Sequence, residues 1–136
     1  MTLKYETIEK TRAILLALTG LACALYAALA FFQGRPNPIY WWIPGAMGVC
    51  ASLGITLMVF WAGKGAAEMA MDELYRSTTR RAAAGAYWLS LLLFVAMSLS
   101  VAGGLTDWPT SYAVLGTLMG ASYLWLFVWF DWRAAR

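Results

Sequence analysis

Four long stretches of the chain carry no charged side chain: residues 13–32, 39–62, 82–102 and 111–130, of 20, 24, 21 and 20 residues. A helix rises about 1.5 Å per residue, so about 20 residues cross the roughly 30 Å hydrocarbon core of a bilayer. Backbone in lipid must satisfy its own hydrogen bonds, so each stretch is predicted to be an α-helix. A membrane β-barrel would place polar residues at every second position, and these stretches do not.

Breakers separate the stretches. Gln33-Gly34-Arg35-Pro36-Asn37-Pro38 and the Gly103–Thr110 segment read as tight turns. Residues 63–81 form the only sizeable polar connection, 19 residues long. The expected fold is all-α: an integral membrane four-helix bundle of two hairpins, a single membrane domain over residues 1–136. A Trp and a Pro lie close together at each short turn (Trp42 and Pro44, Trp108 and Pro109), which hints at a repeat of the hairpin.

Composition agrees with this frame. Apolar residues make up 62% of the chain and charged residues 12%. A soluble domain is about half apolar and about a quarter charged, and a disordered one is poorer still in apolar residues. The net charge of +3 adds an orientation. Lys4, Lys10, Arg12, Lys64, Arg76, Arg80, Arg81, Arg133 and Arg136 flank the stretches on one side, against Arg35 alone on the other. The positive-inside rule therefore places both termini and the 63–81 loop in the cytoplasm (N-in, C-in), with a bacterial inner (plasma) membrane as the expected location. Ala28-Leu29-Ala30 resembles a signal-peptide cleavage site, but the preceding apolar run is too long for one, so the first helix is expected to be retained.

Candidate chemistry is sparse. The chain has no histidine, which removes His-ligated haem, zinc and copper and every His-based triad. Glu6, Glu9, Glu68, Asp72, Glu73, Asp107 and Asp131 all lie outside the apolar stretches, unlike the ionisable groups of proton-coupled transporters. Four-helix multidrug transporters are similar to this chain in size alone, because the glutamate of their first helix is missing here. Cys23 and Cys50 form no CxxC pair and read as core filler, and Gly63-Lys64-Gly65 lacks phosphate-loop spacing. The hydroxyls Thr19, Ser52, Thr56, Ser90, Ser98, Ser100 and Ser122 have no base to activate them. No enzyme activity, cofactor or metal is expected, and no nucleic-acid partner.

Three groups of residues remain as candidates for interaction. Gly45, Gly48 and Ser52, with Gly116 and Gly120 (a GxxxG), thin the second and fourth helices so that another backbone can approach. They serve packing inside the bundle or an interface with a second copy or partner subunit. Glu68, Asp72, Arg76 and Arg80 recur at spacing four, so a helical segment would align them as a cytoplasmic docking face, with Asp72 and Arg76 paired one turn apart. Ser77, Thr78 or Thr79 would cap the next helix. Trp41, Trp42 and Trp108 form one expected interfacial belt. Trp129 and Trp132 belong to the other, and Trp125 joins them in a stripe spaced four and three.

Met71-Asp72-Glu73-Leu74-Tyr75-Arg76, followed by Arg80-Arg81-Ala82 and an apolar helix, resembles small uncharacterised bacterial inner-membrane proteins with a cytoplasmic Asp-Glu-x-x-Arg stretch before a membrane helix. The resemblance spans about a dozen residues and implies a topology, without an activity. The expectation for function is a non-catalytic accessory or scaffold subunit that packs against other membrane helices. A small oligomeric transporter or channel for an apolar or cationic solute is the alternative. A quinone- or pigment-associated subunit is the third.

Overall fold

The computed structural model describes residues 2–62, 65, 68 and 73–134. Four helices account for nearly all of them: α1 (Thr2–Gln33), α2 (Trp42–Ala62), α3 (Glu73–Ala102) and α4 (Trp108–Ala134). All four are long and apolar enough to cross a membrane. Leu92 and Leu99, in the middle and far half of α3, are each 67% exposed. In water such a surface would drive aggregation, whereas in lipid it is the solvated face.

The helices outrun the apolar stretches. α1 starts 11 residues before residue 13, α3 starts within the expected 63–81 loop, and α4 continues past Phe130. The added residues include Lys, Glu, Arg and Leu, which favour helix, and no Gly or Pro that would break it. At α2 the shift is the other way. Pro38 halts the chain, residues 39–41 stay in the turn, and the helix begins at Trp42, where the Ile43 N–H meets the Tyr40 carbonyl at 3.1 Å.

α1 and α4 are the central, antiparallel pair; α2 packs on α1 and α3 packs on α4. Small side chains make this possible. Ala27 and Ala30 of α1 meet Val114 of α4, with Met97 and Leu118 against them. Lipid offers helices no hydrophobic reward for associating, so close van der Waals contact between small residues must do it. Hydroxyls within the helices turn inward on their own backbone. Thr19, Ser52, Thr56, Ser90, Ser98 and Ser122 each donate to the carbonyl four residues earlier, at 2.7–2.9 Å. That satisfies them where water is absent.

Both short turns open in the same way. Gly34 and Gly104 adopt φ of 59° and 71°. The Arg35 N–H reaches the Ala30 carbonyl, as the Leu105 N–H reaches that of Ser100. The Gly34 N–H reaches Phe31 and the Gly104 N–H reaches Val101. Each is a Schellman cap, and glycine is required at the left-handed position. Pro44 and Pro109 then sit in the first turns of α2 and α4, where a missing N–H costs nothing.

Candidate functional site

The most heavily built polar site lies at the end of the molecule that holds both termini. Arg12 belongs to the polar extension of α1 and Asp131 to that of α4. One guanidinium nitrogen of Arg12 donates to both carboxylate oxygens of Asp131, at 3.2 and 3.1 Å. Arg12 is only 6% exposed. Its guanidinium also lies 4.9 Å from the ring centre of Tyr75 and 5.4 Å from that of Phe127, and these two rings meet edge to face. Three helices thus converge on one buried cation. Taking that charge out of water is tolerable because a carboxylate and two π-faces surround it. Beside it opens a cavity of about 420 Å³ lined by Glu6, Glu9, Lys10, Asp131, Val128 and Trp132, among others.

Arg76 and Arg80 of the expected docking face are exposed on the first two turns of α3, and Glu68 is exposed as well. Asp72 lies outside the described residues, and with it the expected pair to Arg76. Arg76, Ser77, Arg80 and Arg81 line an open cavity of about 480 Å³ together with Glu73. A second cavity, about 320 Å³, adjoins it through Ser77 and Arg81 and adds Thr78, Phe130 and Arg133. The expected caps are corrected here. Ser77 and Thr79 lie inside α3 and donate back to the Leu74 and Tyr75 carbonyls at 2.9 Å, and Thr78 is buried. The helix had already begun at Glu73, so no free N–H groups remained for them to cap.

The small-residue faces point away from the molecule's own helices. Among the described residues, a Cβ built on Gly45, Gly48, Gly116 or Gly120 would meet nothing within 4 Å, and Ser52 is exposed beside Gly48. The close approaches occur at glycines outside those patterns. A Cβ on Gly20 would come within 2.7 Å of the Trp125 indole nitrogen, and one on Gly85 within 3.0 Å of Leu126. The ring of Trp125 fills the notch at Gly20, and its N–H points at the Ala17 carbonyl, 3.4 Å away. Trp125 is therefore turned onto α1, out of the stripe it shares by spacing with Trp129 and Trp132. The Trp129 and Trp132 rings lie 5.9 Å apart and are half exposed.

Several other aromatics lie at the end with the short turns. Tyr40 and Trp42 pair at 6.2 Å, and Trp108 stacks on Tyr112 at 5.7 Å, both at the end with the short turns. Trp41 is exposed at the same end. The turn itself is tied down by Tyr26, whose hydroxyl donates to the Pro36 carbonyl and reaches the Asn37 side-chain oxygen.

At the second short turn, Asp107 caps α4. Its carboxylate accepts from the Thr110 N–H at 3.0 Å, and its carbonyl from the Ser111 N–H. The nearby Thr110 side chain, followed by that N–H, holds the Asp107 carboxyl below the usual carboxylate range. The hydroxyl oxygen itself stays outside hydrogen-bond geometry with any described residue. Cys23 and Cys50 are free thiols, and among the described residues no three His, Cys, Asp or Glu side chains cluster to hold a metal.

In comparisons with known proteins, no family model matches the chain, and neither a curated protein nor a solved structure does.

Proposed function

We propose that this protein is a non-catalytic accessory or scaffold subunit of a membrane assembly, seated in a bacterial inner membrane with both termini in the cytoplasm. The observation that carries the reading is the outward placement of Gly45, Gly48, Gly116 and Gly120, over which a Cβ would meet open space. A helix gains nothing by exposing a smooth glycine face to lipid. It gains close backbone contact when another helix lies there. The fold uses Gly20 and Gly85 for its own packing, while a Cβ at these four meets none of the described residues. The expected experiment isolates the tagged protein from its native membrane in mild detergent and weighs the intact complex. A stoichiometric partner or a defined homo-oligomer is expected, and Gly116→Leu with Gly120→Leu should disperse it while membrane insertion persists. A monomer without partners, or an assembly unchanged by the double substitution, overturns the reading.

A second reading has one observation in its favour. The cavity beside Arg12 combines three carboxylates (Glu6, Glu9 and Asp131) and one cation, Lys10, with the apolar surfaces of Ala13, Leu74, Val128 and Trp132. Such a lining suits an apolar or cationic solute, as a small oligomeric transporter or channel would require. Proteoliposomes loaded with a panel of lipophilic cations test it, with protein-dependent flux as the supporting outcome.

A further inference from the structure

We infer that the paired cavities at the start of α3 and the end of α4 form a binding site for the phosphate headgroup of an anionic phospholipid. Arg76, Arg80 and Arg81 line the first cavity and Arg81 and Arg133 the second, with Ser77 and Arg81 common to both. Glu73 is the one carboxylate in either lining among the described residues. Among the described residues none of these four guanidinium groups forms an ion pair with a carboxylate. Guanidinium forks match phosphate oxygens in pairs, and the Ser77 hydroxyl adds a further donor.

Position selects a lipid over a soluble anion. The uncharged stretch of α3 begins at Ala82, directly after Arg81, and that of α4 ends at Phe130, three residues before Arg133. The cavities therefore open at headgroup level. Below them the same side of α3 is apolar. Ala84, Trp88 and Leu92 follow Arg80 at successive spacings of four, and all are exposed. An anionic headgroup among the arginines would lay its acyl chains along that face. Basic pockets at this level between membrane helices are a recurring mode of anionic-lipid recognition.

The inference rests on the membrane location proposed above, which fractionation of cells tests separately. The site itself is tested on the full chain in detergent micelles by native mass spectrometry with added phosphatidylglycerol or phosphatidylcholine. Retention of phosphatidylglycerol at least tenfold over phosphatidylcholine is expected. Each arginine near the surface contributes about fivefold, so Arg76→Gln, Arg80→Gln and Arg81→Gln together should weaken binding by roughly a hundredfold. Arg35→Gln, at the opposite end, should leave it unchanged. Equal retention of the two lipids by the unsubstituted protein overturns the proposal without any variant. So does unchanged binding in a triple variant that keeps its helical circular dichroism. Displacement of the lipid by millimolar inorganic phosphate would assign the site to a free anion and overturn the lipid assignment.

Discussion

Arg12 and Asp131 stand 119 residues apart in sequence and 3.1 Å apart in space, and their contact joins the first helix to the last. The pair is poorly hydrated, with the Arg12 side chain 7% and that of Asp131 18% exposed. It closes the terminus-bearing end of the central α1–α4 pair, whose other half is packed through Ala27, Ala30 and Val114. Tyr75, at the start of α3, lies against both helices through its contacts with Arg12 and Phe127.

The cost of breaking such a pair exceeds the gain from making it, because the survivor is left buried and uncompensated. Arg12→Met or Asp131→Asn alone should each destabilise the fold by about 3 kcal/mol. The double variant Arg12→Met with Asp131→Leu should recover a large part of that loss, since apolar replacements of similar volume remove both desolvation costs. Unfolding of the purified protein in mixed micelles by increasing dodecyl sulfate measures all three. Additive losses in the double variant would show that the two side chains act independently.

The glycines divide into two classes with opposite expectations. Gly20→Ala places a methyl group 2.7 Å from the Trp125 indole nitrogen, so the ring must leave its notch or α1 and α4 must part. A loss of about 1–3 kcal/mol is expected, typical of overpacking. A Cβ on Gly116 meets none of the described residues within 4 Å, so Gly116→Leu should not lower the unfolding midpoint of the isolated protomer. Its effect belongs to the assembled state, read from the mass of the detergent-solubilised complex. A destabilised Gly116→Leu protomer would mean that this face is covered by the molecule itself.

The four spans were legible because hydrophobic length is a property of local sequence, and lipid leaves a 20-residue apolar run few alternatives to helix. Helix ends were less so. Residues 2–12 and 73–81 are polar, and a hydropathy pattern does not distinguish polar helix from polar loop. The pairing of Arg12 with Asp131 carried no local signal, because the two residues stand 119 apart in sequence and only the packing of α1 on α4 brings them together. The one available clue was that each abuts the end of an apolar stretch on the same side. Gly20 and Gly85 escaped for a related reason: neither belongs to a GxxxG pattern, and what makes each matter is a bulky residue on another helix. The glycine motif did mark a smooth face, but a motif cannot say whether that face turns toward the molecule or away.

The cap at Asp107 gives the fold a pH dependence of known sign. The Thr110 side chain and N–H lower the Asp107 pKa in the folded state relative to the unfolded chain. A depressed carboxylate pKa contributes stability above the unfolded value, near pH 4, and loses it as pH falls through the lower folded value. Thermal melts followed by circular dichroism should therefore show a midpoint that drops below about pH 4. Asp107→Asn keeps a side-chain acceptor for the Thr110 N–H and should flatten this drop at modest cost at neutral pH. Asp107→Ala should lower the neutral midpoint further, and an acid response unchanged in both variants would place its origin at another carboxylate.

Orientation follows from the same distribution of charge that surrounds the arginine cavities. Moving nine cationic side chains across an energised membrane is opposed far more strongly than moving Arg35 alone, so the end with both termini should remain cytoplasmic. Cys23 and Cys50 are free, so replacing both with Ser gives a thiol-free background for placing single reporters. Asn37→Cys, in the first short turn and exposed, should react in intact cells with a membrane-impermeant maleimide. Glu73→Cys, exposed at the start of α3, should react only after the cells are opened. The reverse pattern would invert the molecule and place the arginine cavities against the outer leaflet. Labelling of both sites in intact cells would mean that the chain inserts in both orientations, the expected behaviour of a protein whose charge bias is too weak to fix one.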